Sequence, residues 1–123
     1  MKKTIGFALA LSLLSLPALR AHAMTIEEAG EKAIGLMEQM ATIIDKDKDA
    51  CDKMAADLNK FQDDNAALLK ELSEMKGKRT DAEKKAFREK YAARLKAAQE
   101  KMTPGAMKCE KDEKVKAAMM KMR

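Results

Sequence analysis

CDKMAADLNKFQDDNAALLKELSEM, residues 51–75, carries the pattern on which the fold turns. Cys51, Met54, Leu58, Phe61, Asn65, Leu68, Leu72 and Met75 recur at alternating spacings of 3 and 4, an unbroken heptad series. A strand would need apolar residues at every second position, so this segment is a helix with a long apolar seam. Such a seam demands helical partners lying along it. Asn65 is its one polar member, expected to set register rather than bind a ligand.

Upstream, Thr25 and Glu28 have the spacing of a capping box. They open a helix whose apolar positions Ile26, Ala29, Ala33, Met37, Met40 and Ile44 recur every three or four residues. That stripe ends at Ile44, and the connector IIDKDKDACDK (43–53) follows. Its alternating aspartates resemble the start of a calcium loop. Counted from Asp45, however, the sixth position is Ala50 where the turn needs glycine, and the twelfth is Ala56 where a bidentate glutamate belongs. Lys46, Lys48 and Lys53 stand between the would-be ligands and repel a cation. The stretch therefore reads as a connector, with Asp47 or Asp49 expected to cap the next helix.

Downstream, Gly77 ends the seam helix and Thr80 with Glu83 makes a second capping box, leaving KGKR as a basic turn. A third helix is expected to about Met102, with Phe87, Tyr91, Leu95, Ala98 and Met102 on one side. Thr103-Pro104 supplies an N-cap and first-turn proline for a further short piece, and a break is expected near Asp112 before Val115, Ala118, Met119 and Met122. The expected fold is all-α: a small antiparallel bundle of three long helices plus a short C-terminal helical segment.

Cys51 and Cys109 are the only cysteines. An even pair in an exported chain reads as one disulfide. It closes a loop of roughly 60 residues, a stabilisation of roughly 4 kcal/mol on the chain-entropy model. Export is read from the first 23 residues: the basic start Met1-Lys2-Lys3, an apolar run, and Ala21-His22-Ala23 as a cleavage site. Residues 1–23 are thus a cleaved secretory signal peptide, and residues 24–123 a single helical domain with no transmembrane span, periplasmic or secreted.

Cleavage removes Lys2, Lys3 and Arg20, so the net charge falls from +5 to +2. Residues 24–75 hold 13 acids and 6 bases, and residues 76–123 hold 7 acids and 16 bases. The two halves attract each other when folded side by side. Nucleic-acid binding has no support, because no aromatic stacking motif accompanies the lysines.

His22 leaves with the signal, so the mature chain has no histidine for haem or di-iron ligation or for a hydrolytic triad. Ser73 is the only mature serine, and the disulfide takes both thiols, so no enzyme activity and no cofactor is expected. Two features are left. Met107, Met119, Met120 and Met122 are candidate soft ligands for Cu(I), although methionine also serves as a flexible core filler. Lys76, Lys78 and Arg79 form a basic tip that could contact anionic lipid. By elimination, the sequence reads as a non-enzymatic binding or chaperone-like module of the bacterial envelope whose partner is a protein or envelope component. Copper handling and lipid contact are the alternatives.

Overall fold

A computed structural model describes residues 24–122, so residues 1–23, where a signal peptide is expected, lie outside the described residues. The first helix, α1 (Ile26–Lys46), opens as its sequence predicts: Thr25 Oγ1 accepts the Glu28 N–H at 3.1 Å, and Glu28 Oε1 accepts the Thr25 N–H at 3.4 Å. The heptad segment forms α2 (Cys51–Asp64) and α3 (Ala66–Lys78), which continue one another across Asn65. The helical ladder survives there, with Asn65 N–H bonded to Phe61 O at 3.1 Å and Leu69 N–H to Asn65 O at 2.8 Å. Asn65 Nδ2 adds a second donor to Phe61 O at 2.8 Å, the local competition that bends helices at such side chains. Asn65 therefore marks an interruption in its own helix and bonds no residue of another.

The second capping box forms as well, Thr80 Oγ1 accepting Glu83 N–H at 3.1 Å, and starts α4 (Asp81–Lys90). Across Tyr91 it runs into α5 (Ala92–Lys108), again with the ladder intact. Asp112 Oδ1 accepts Val115 N–H at 2.9 Å and caps α6 (Glu113–Met120). The described residues form three long rods, two of them interrupted at a single residue, Asn65 or Tyr91, and a short fourth helix.

Three local expectations are corrected. Gly77 does not end the seam helix, which runs through it to Lys78, so the turn is confined to Arg79 and Thr80. Thr103-Pro104 does not begin a helix; Pro104 lies within α5. A proline inside a helix costs roughly 3 kcal/mol; the helix continues through it, and the next residue, Gly105, packs closely on Ile44 of α1. Thr103 turns its hydroxyl back to Gln99 O at 2.7 Å instead of capping. Nor do Asp47 and Asp49 cap α2, whose N-cap is Ala50 without a side-chain bond. Asp47 closes α1 instead and is buried, because the chain reverses tightly over it, Ala50 N–H bonding Asp47 O at 2.9 Å.

Successive rods alternate in direction, as an antiparallel bundle requires, yet the closest packing is between parallel rods: α1 against α5, and α2 against α6. Contacts climb in step along the first pair, from Gly30 with Tyr91, through Glu38 with Arg94 and Thr42 with Lys101, to Ile44 with Gly105. Opposite charges of the two halves meet here, Arg94 Nη1 with Glu31 Oε2 at 3.1 Å and Arg94 Nη2 with Glu38 Oε1 at 2.6 Å. Lys108 with Asp49 and Lys114 with Asp52 extend the same pairing to the connector and α2.

A large buried cluster lies at the disulfide end. Ile44, Met54, Ala55, Leu58, Cys109, Val115 and Ala118 form one buried cluster, edged by Met40, Ile43, Cys51, Met102, Met119 and Met122. The Cys51–Cys109 disulfide, with Cα atoms 5.5 Å apart, joins the start of α2 to the end of α5 in the same cluster. By contrast, no described residue of α3 or α4 is fully buried. At the other end α1 still buries Ala29, Gly30 and Ile34, with Tyr91 buried opposite, while the side of the bundle formed by α3 and α4 is less covered.

Candidate functional site

The lower coverage of α3 follows from helix lengths. The seam rod comprises 14 residues in α2 and 13 in α3, whereas α6 has 8 residues. At 1.5 Å per residue, α6 covers roughly 12 Å of a seam roughly 40 Å long. Met54, Leu58 and Phe61 are accordingly buried, while Leu68, Leu69, Leu72 and Met75 further along are only half-buried.

The uncovered stretch forms one side of a groove of about 450 Å³ between α1, α3 and α4. That size is in the range of small-ligand and peptide-anchor pockets. Ala33, Ile34 and Met37 of α1, Leu69 and Leu72 of α3, Phe87 of α4 and Met122 after α6 make its apolar lining. Its charged residues are Lys76, Arg79, Lys84 and Arg88, with no acid among the lining residues.

These cations are not tied to carboxylates as Arg94 and Lys53 are. Arg94 is committed to two carboxylates; its hydrogen bonds hold both Glu31 and Glu38 below the usual carboxylate range. The Lys53 ammonium, donating to Asp57 at 2.9 Å, holds the Asp57 carboxyl down at about 2. Among the described residues, no salt bridge engages Lys76, Arg79, Lys84 or Arg88. Arg79 packs its guanidinium over the Phe87 ring, 5.3 Å from the centroid, and its Nε is buried with no hydrogen-bond partner. The groove thus combines an apolar floor with four uncommitted positive charges.

Of the basic tip read from sequence, Lys76 and Arg79 line the groove, and Lys78 lies exposed at the end of α3. Lys84 and Arg88 were missed. Their spacing of four residues, straddling Phe87, was the available signal, since it places both on one helix face.

The four candidate methionines are distributed rather than gathered. Met107 and Met120 are each 66% exposed, on α5 and α6 respectively. Met119 and Met120 border a second hollow, of about 350 Å³, with Ile44, Met54 and Val115, while Met122 belongs to the groove. In the aspartate-rich connector, Asp47 Oδ1 accepts from Lys53 Nζ at 3.4 Å and Asp49 pairs with Lys108, so lysines hold the carboxylates. Among the described residues, no group of three or more His, Cys, Asp or Glu side chains could hold a metal ion, and no helix is long and apolar enough to cross a membrane.

Compared with known protein families, with curated proteins and with solved structures, the chain finds no match.

Proposed function

We propose that this chain is a small exported, non-enzymatic protein that acts as a binding or chaperone-like module of the bacterial envelope, holding apolar stretches of other polypeptides in the groove between α1, α3 and α4. One observation carries the proposal: among the described residues, the second half of the heptad seam, Leu68 to Met75, packs only partly against α1 and lies beyond the reach of α6, so it stays half-buried. A half-buried seam of leucines recruits apolar surface from elsewhere. Met37 and Met122 beside it provide an adaptable wall, since unbranched thioethers repack around varied partners at little cost. The signal-peptide pattern, the disulfide and the lack of a membrane-crossing helix among the described residues fit a periplasmic or secreted site of action. Copper handling has less support, because of the four methionines Met119 and Met120 share one hollow while Met122 lines the groove and Met107 lines neither.

The test is suppression of light scattering from a thermally unfolding client protein. The mature protein is expected to suppress it at near-equal molar ratio, and Leu72→Glu, which places a carboxylate in the groove, to suppress several-fold less. Leu72 is only half-buried, so its replacement leaves the core cluster intact. Equal suppression by the two proteins, or none by the unaltered one, contradicts the proposal.

A further inference from the structure

Resting on the groove as a polypeptide site, we infer that its preferred occupant is an amphipathic helix of another protein, with acidic residues flanking the apolar stripe on both sides. The floor has helical periodicity: Leu69, Leu72 and Lys76 lie at successive spacings of three and four along α3, presenting the surface that a helix packs against. The open part of the seam, Leu68 to Met75, is roughly 11 Å long at 1.5 Å per residue, room for about two turns of an occupant.

Charge chooses among apolar helices. Lys76 and Arg79 stand at the end of α3, and Lys84 and Arg88, one turn apart, stand on α4, so positive charge borders the floor from both elements. A single-headed anionic lipid would engage one or two of these cations at one end of its chain. Four cations spread over two elements instead match several carboxylates spread along a helix, as flanking charges do in paired helices.

The experiment uses the oxidised mature protein and three synthetic helical peptides with one apolar stripe and flanks of Glu, Gln or Lys, titrated by fluorescence anisotropy. The Glu peptide is expected to bind about tenfold tighter than the Gln peptide, four modest, solvent-screened ion pairs acting together, and the Lys peptide most weakly. The double variant Lys84→Glu/Arg88→Glu, whose residues make no intramolecular ion pair among the described residues, should erase that preference with an unchanged thermal midpoint. Equal binding of all three peptides overturns the acidic-helix inference and leaves the polypeptide groove standing. Failure of every peptide to bind overturns both. Tight binding to phosphatidylglycerol vesicles that the Glu peptide cannot displace overturns the inference in favour of a lipid surface.

Discussion

Replacing Cys51 or Cys109 with serine lowers the thermal unfolding midpoint by roughly 15 °C or more, as followed by helical circular dichroism. Chain entropy alone assigns the bridge roughly 4 kcal/mol, because it closes a long loop. For a domain of this size each kcal/mol moves the midpoint by roughly 4 to 8 °C. Position adds to the effect: Cys109 is 1% exposed and touches the same cluster as Ile44, Met54 and Leu58. The bond anchors the chain just before α6, whose contacts are mainly with α2, so reduction loosens the short helix that roofs the core. A midpoint within a few degrees of the unaltered protein would show that packing alone fixes that end.

The second large effect is expected at Gly105. A Cβ there would press on the carbonyl oxygen of Ile44 and stand 2.8 Å from Ile44 Cγ2 and 3.2 Å from its carbonyl carbon. Since the obstacle is largely backbone, α1 and α5 must separate to admit even a methyl group. Gly105→Ala should therefore destabilise at the upper end of the roughly 1–3 kcal/mol typical of overpacking, despite alanine's better helix propensity. Gly77, also helical, has nothing within 4 Å of its would-be Cβ. Gly77→Ala should stabilise by roughly 0.5–1 kcal/mol through propensity alone. Urea unfolding of the two variants side by side checks the opposite signs, and a neutral or stabilising Gly105→Ala would contradict the tight approach of α1 to α5.

The comparison of these glycines shows which parts of the fold the sequence disclosed. Signals confined to a few residues were legible: both capping boxes, at Thr25 with Glu28 and Thr80 with Glu83, formed as their spacing implies. The cysteine pairing was legible from compartment chemistry, and the seam of residues 51–75 from its period. What local pattern could not supply was tertiary. Pro104 looks like a helix start until Gly105 is placed against Ile44, and Asp47 looks like a cap for α2 until the reversal buries it at the end of α1. The parallel pairing of α1 with α5 depends on contacts some sixty residues apart, such as Arg94 with Glu31 and Glu38, which periodicity does not encode.

The groove was hidden for a related reason. A heptad announces that a partner is needed but not how many turns receive one. Only the end of α6 at Met120 reveals that the seam outruns its cover. The basic tip at Lys76, Lys78 and Arg79 was visible as composition, whereas its continuation onto Lys84 and Arg88 required α4 to be set beside α3.

Methionine methyl NMR tests the groove most directly, because the chain carries its own reporters. Met37 and Met122 line the groove, Met54 is buried in the core, and Met107 is exposed elsewhere on α5. On titration with an apolar client segment, the methyl resonances of Met37 and Met122 are expected to shift and saturate together, while those of Met54 and Met107 stay in place. Shifts confined to Met107 or Met120, or no saturable shift at Met37 and Met122, would contradict the groove as the site of binding.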